Sequence, residues 1–140
     1  MSQFESPAAL ATALRSVDYL PDERISQVAY LAGALDKPIL VEGPAGVGKT
    51  ELAKSLALIT GRELIRLQCY EGLDESSALY EWNYKKQLLR IQADEGSDWS
   101  EISGDIFSED FLLARPLLQA IRSEEPVVLL IDEIDRVEME

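Results

Sequence analysis

Histidine is absent from this chain and cysteine occurs once, at Cys69. A lone thiol cannot close an internal disulfide, and without histidine or a second thiol no zinc-type ligand cluster can be assembled. Cys69 is therefore expected to be a small core residue. Basic residues are also scarce: 13 Lys and Arg face 26 Asp and Glu, a formal net charge of -13. Nucleic acid, which is bound through Lys and Arg neutralising its phosphates, would on average be repelled. No apolar run approaches the roughly 18 residues that span a bilayer, and the first five residues have neither a basic flank nor an apolar stretch. A cytoplasmic protein with no nucleic-acid or membrane partner is the expectation.

What is present is ordinary globular material: 140 residues, 46% hydrophobic and 28% charged, enough for one domain or part of one. Ser6-Pro7 reads as an N-cap followed by proline at the first helical position, so residues 1–18 are expected to form a short helical extension. Asp22 caps a second helix with Ile25, Val28, Ala29, Ala32 and Leu35 on one face. The run Pro38–Val41 suits a strand buried on both faces, and Lys49–Ile59 a helix closed by Gly61. Ile65, Leu67 and Cys69 alternate with polar neighbours along a second strand at 63–69. Signals weaken after Tyr70: Trp82–Ile91 fits a helix or a hairpin strand, within an insertion at about 81–107 whose stretch 94–104 is acidic and glycine-punctuated. Ser108 reads as an N-cap, but Pro116 forces a turn and a new helix bearing Leu117, Leu118 and Ile121. Val127–Ile131, with no polar break, predicts a parallel strand buried on both faces.

Between the first predicted strand and the helix after it stands Gly43-Pro44-Ala45-Gly46-Val47-Gly48-Lys49-Thr50, a full match to G-x-x-x-x-G-K-[ST]. A phosphate cradle needs backbone N–H groups converging on oxygen atoms, which Gly43, Gly46 and Gly48 permit by open dihedrals and lack of side-chain bulk. Lys49 reaches the β- and γ-phosphates as a mobile cation, the helix N-terminus adds its positive dipole end, and the Thr50 hydroxyl ligates Mg²⁺. Glu51, next in line, is grouped with the ATP-binding residues, although an acid near a helix N-terminus is already accounted for by the dipole. The bland alternative for the whole motif is a glycine-rich turn joining strand to helix.

The last predicted strand ends in Asp132-Glu133, delivering carboxylates to the crevice where ligands of parallel α/β sheets bind. Asp132 would hold Mg²⁺, mainly through bound water, and Glu133 would orient and polarise the attacking water. Solvated turn acids are the alternative. The adjacent glutamate separates reaction classes, because hydrolysis needs a base for water whereas a small-molecule kinase must dock an acceptor hydroxyl. Asp135 and Arg136 read as surface residues.

With these residues in view, 43–50 and Val127–Asp135 (V-V-L-L-I-D-E-I-D) resemble the Walker A and Walker B pair of AAA+ ATPases. More narrowly, Pro38–Lys54 (P-I-L-V-E-G-P-A-G-V-G-K-T-E-L-A-K) resembles the MoxR family of chaperone-like AAA+ proteins. Arg66–Asp74, Ala78–Tyr84 and Phe111–Leu118 resemble its branch associated with maturation of carbon monoxide dehydrogenase. The resemblance runs from about Tyr19 onward. It implies an α/β P-loop NTPase with a parallel-sheet core over 19–140, with Walker A at 43–50 and Walker B at 127–133. It also implies a homo-oligomeric, hexameric ring that spends ATP on remodelling a client protein, often with a partner carrying a von Willebrand factor A domain.

Similar proteins continue past Walker B through a sensor strand, an arginine finger and a helical lid. The expectation is therefore an N-terminal fragment, inactive alone, whose Walker strands have no native strand between them. A nucleotide-dependent switch without turnover and a small-molecule phosphotransferase remain the alternatives to an ATPase.

Overall fold

Ser6 opens the first helix, α1 (Pro7–Ser16): its hydroxyl accepts from the Ala9 N–H at 3.2 Å, and Pro7 takes the first helical position, where a missing N–H costs nothing. In this computed structural model, which describes residues 4–93, 108, 110 and 112–137, the second helix repeats the device. Asp22 caps α2 (Glu23–Leu35) by accepting from Ile25 N–H at 2.6 Å, and Asp36 ends it in the left-handed conformation. Leu10 and Leu14 of α1 are buried against Ala29 of α2, with Tyr19, Tyr30, Ile39, Leu56 and Ile59 packed around them. Each fully buried leucine contributes roughly 1.5–3 kcal/mol of transfer free energy.

The third helix, α3 (Lys49–Thr60), begins at Gly48 and ends at Gly61, both left-handed. It packs against α1 and against the strand β4 described below. Strand β1 (Leu64–Gln68) follows, with Ile65 and Leu67 buried and Arg66 and Gln68 exposed, the alternation read from the sequence. Cys69 is buried, as expected of a small core residue. β4 (Val128–Asp132) is the neighbour of β1 in a two-stranded sheet, and the Val128 N–H donates to the Glu63 carbonyl at 2.9 Å.

Two expectations are corrected here. Pro38–Val41 is not a strand: it makes no ladder with β4 or with any other described strand, and Leu40 is 73% exposed. Only Ile39 reaches the core. A β-strand is defined by its neighbours, and an apolar run without one stays extended chain covered on one side. Nor is β4 buried on both faces; its residues are half-covered and Ile131 is 44% exposed, and β1 is its one ladder partner among the described residues.

Contacts divide the chain into two units, Met1–Arg66 with Glu124–Asp132, and Leu67–Ser123 with Glu133–Glu140. In the second unit Asp74 caps a short helix α4 (Glu75–Leu79), after which β2 (Tyr80–Trp82) pairs antiparallel with β3 (Leu112–Ala114). Their register sets Tyr80 opposite Ala114 and Trp82 opposite Leu112. Tyr80 and Trp82, on one face of β2, meet edge to face with centroids 6.3 Å apart. The choice between helix and hairpin over 82–91 resolves as both, because β2 gives way to α5 (Tyr84–Ala93). α6 (Pro116–Arg122) starts at Pro116 as the sequence requires, and packs on α4. Its intended apolar residue Ile121 is exposed rather than buried. The acidic stretch 94–104 lies outside the described residues. Among those described, no helix is long and apolar enough to cross a membrane.

Candidate nucleotide site

The loop ahead of α3 turns on glycines with φ of 154° at Gly43, 81° at Gly46 and 87° at Gly48. A side chain at Gly43 would bring its Cβ within 3.3 Å of Val47 Cγ2, so the loop closes tightly on itself there. Gly48 is the N-cap of α3 and supplies no side-chain acceptor to the helix. The first-turn N–H groups of α3 thus lack a side-chain cap, and an uncapped N-terminus with its positive dipole end is an anion receptor.

Lys49 folds back across this loop, donating from Nζ to the Gly43 carbonyl at 2.6 Å and to the Pro44 carbonyl at 2.7 Å. The cation is thus held on the loop by two neutral acceptors, weaker partners for an ammonium than an anion would be. Pro44, Ala45 and Val47 are exposed loop positions. Glu51 makes a surface pair with Lys54 at 3.0 Å, one helical turn on.

Thr50, in the first turn of α3, and Asp132, the last residue of β4, meet although they lie 82 residues apart in the chain: the Thr50 hydroxyl donates to Asp132 Oδ2 at 3.4 Å. The same oxygen accepts from Arg66 Nη2 at 2.7 Å. A hydroxyl and one carboxylate are hard oxygen donors of the kind Mg²⁺ takes, with the remaining positions left to water and phosphate oxygens. Among the described residues no group of three or more His, Cys, Asp or Glu could hold a metal. The donor set therefore fits a nucleotide-borne magnesium ion and does not form an all-protein cage.

Glu133 adopts φ 56° and ψ 41°, and Arg136 of the 3-10 turn Ile134–Arg136 forms an ion pair with it, Nε lying 2.8 Å from Oε2 without hydrogen-bond geometry. A non-glycine residue with positive φ is uncommon, and such departures concentrate at functional positions. Sequence reading treated Arg136 as a plain surface residue and gave Arg66 no role at the acid pair. Arg66 stands at a solvent-facing position of an alternating strand, with no motif around it to signal a contact with Asp132.

Residues 39–140, well over half of the chain, match the family described as ATPase family associated with various cellular activities. Lon protease of Nitratidesulfovibrio vulgaris is 50% identical over 60 residues, 40% of this chain and 7% of Lon. An uncharacterized protein of Staphylococcus saprophyticus is 30% identical over 119 residues, 85% of this chain and 38% of that protein. Protein NorQ of Paracoccus denitrificans is 34% identical over 61 residues, 44% of this chain and 23% of NorQ. The chain thus spans well under half the length of each of these relatives. No solved structure matches it.

Proposed function

Because the chain belongs to the AAA family of ATPases, we propose that it binds Mg-ATP at 43–50 and Asp132, and that the whole protein couples hydrolysis to remodelling of a client. The observation that carries this reading is the meeting of Thr50 and Asp132 at the uncapped start of α3. Bound magnesium supplies charge neutralisation to the triphosphate. For the rest, the residues of the chain act directly. The α3 amides and Lys49 would hold phosphate oxygens, Asp132 and Thr50 would hold the metal, and Glu133 would orient and polarise the water that replaces ADP on the terminal phosphorus, taking up the proton that water loses.

The finer reading is a MoxR-type ATPase, working in the cytoplasm as a homo-oligomeric, hexameric ring. It is supported by the similarity to NorQ, a MoxR-family member, and by the stretches 66–74, 78–84 and 111–118. A metalloenzyme client and a partner with a von Willebrand factor A domain belong to the same proposal. Tyr80 and Tyr84 are exposed, and the aromatic set with Trp82 is assigned to the client or to a neighbouring subunit.

Nucleotide affinity and phosphate release of Lys49→Ala and Glu133→Gln test the core of the reading. Lys49→Ala should weaken binding roughly tenfold or more, as expected for a lost hydrogen bond to a charged group. Glu133→Gln should retain binding while turnover falls on the order of a hundredfold. The engagement of Glu133 by Arg136 favours one competing reading, a nucleotide-dependent switch without turnover: nucleotide binding with background phosphate release in the wild type would favour that switch, whereas real release unchanged in Glu133→Gln would remove Glu133 as the base.

A further inference from the structure

Asp132 Oδ2 is the oxygen toward which the Thr50 hydroxyl is directed, at 3.4 Å, and it is also the oxygen that Arg66 Nη2 occupies at 2.7 Å. The Asp132 side chain is 19% exposed and that of Arg66 48%. A carboxylate so far withdrawn from water needs a counter-charge, and Arg66, from the neighbouring strand β1, supplies it. Magnesium requires near-octahedral oxygen ligation at about 2.0–2.1 Å. A guanidinium on the Thr50-facing oxygen opposes a metal ion there, even one holding Asp132 through a bound water, because it takes one lone pair and because two cations at one oxygen repel. Arg66 is long, half-exposed and on the outward side of β1's alternation, so its guanidinium can leave toward solvent without disturbing Ile65 and Leu67 in the core.

We propose that Arg66 is a positioning residue that stands in for the metal: it neutralises Asp132 while the site is empty and is displaced when Mg-nucleotide binds. The inference rests on the Mg-ATP reading above and assigns that site a regulatory partner. Its consequence is discrimination. Bare cation must displace Arg66 without help, whereas nucleotide brings phosphate oxygens that complete the metal's ligand shell and so tip the exchange. Removing the guanidinium makes the empty site more anionic, which strengthens the pull on the metal and weakens the binding of metal-free nucleotide.

The test uses the full-length protein and a non-hydrolysable ATP analogue, titrated with magnesium and again with EDTA, in wild type, Arg66→Gln, Asp132→Asn and the double variant. The dissociation constant in EDTA divided by that in magnesium should rise roughly fivefold in Arg66→Gln, the scale of a half-exposed ion pair. The same change made on Asp132→Asn should have no effect, since the partner is gone. An unchanged or reduced ratio in Arg66→Gln overturns the inference, and so does an effect that persists on Asp132→Asn, which would place Arg66 on the phosphates instead. Wild type that binds no nucleotide would remove the Mg-ATP reading and the inference with it. A direct readout covers the case in which Arg66→Gln fails to fold. The guanidinium nitrogen resonances of wild-type Arg66, assigned with Arg66→Lys, should show hindered rotation in EDTA and free rotation with magnesium and analogue. Hindered rotation in both conditions overturns the proposal.

Discussion

Two helix starts in the same unit are built in opposite ways. At α2 the chain closes its own N-terminus, with Asp22 accepting from Ile25 N–H at 2.6 Å. At α3 the corresponding position is Gly48, left-handed and without a side-chain cap. A cap contributes about 1 kcal/mol, and the sequence shows elsewhere, at Ser6 and Asp74, that it supplies one readily. Leaving α3 open forgoes that stabilisation at a helix start that follows a glycine loop and meets Asp132; among the described residues α6 also starts without a side-chain cap, but there a proline takes the first position. The difference is between a helix end closed by its own side chain and one left open where the proposed nucleotide would bind.

Closing the open end should give the largest effect. Gly48→Asp places a negative side chain at the mouth of α3 and a Cβ at φ 87°, so nucleotide affinity should fall by on the order of a hundredfold from charge repulsion and lost cradle geometry. Calorimetric titration with Mg-ATP checks this, and retained affinity would show that the open N-terminus is not the receptor.

Opening the closed end is the converse. Asp22→Ala should cost about 1 kcal/mol of unfolding free energy in urea and leave nucleotide affinity unchanged, because α2 meets the core and not the cradle. A parallel loss of affinity would erase the distinction between the two starts.

The smallest effect sharpens the comparison at a third start. Asp74 accepts from Ser77 N–H at 2.6 Å, and that backbone bond, with help from the Ser77 and Ser76 side chains, holds its carboxyl below the ordinary value of 3.8. A depressed folded pKa means that the cap's contribution is complete above the unfolded value and is lost as pH falls through the folded one. Hydrogen-exchange protection of the α4 amides should therefore be constant at neutral pH and decline below about pH 4, with Asp74→Asn largely removing that dependence.

Much of this was legible in the chain itself. Ser6, Asp22, Gly61 and Pro116 mark helix ends because a cap or a proline acts on its own backbone within a few residues, and the structure places helix ends at each. The loop 43–50 was equally legible, since its glycines, lysine and threonine are contiguous and each has a local reason. Strand 38–41 misled because an apolar run reports the wish to be covered and not the presence of a neighbour. The β2–β3 pair was missed because three-residue strands carry too little period to register, and their partners lie some thirty positions apart.

By itself the sequence determined the helix starts, the glycine loop at 43–50 and the acidic end of β4, all of them properties of short stretches governed by local sterics and local hydrogen bonds. Tertiary structure alone decided that Thr50 and Arg66 converge on one oxygen of Asp132 and that Pro38–Val41 stays outside the sheet. Those outcomes depend on which strand lies beside which, a matter of long-range packing in which a half-exposed arginine and a partly buried carboxylate meet only because β1 and β4 are neighbours.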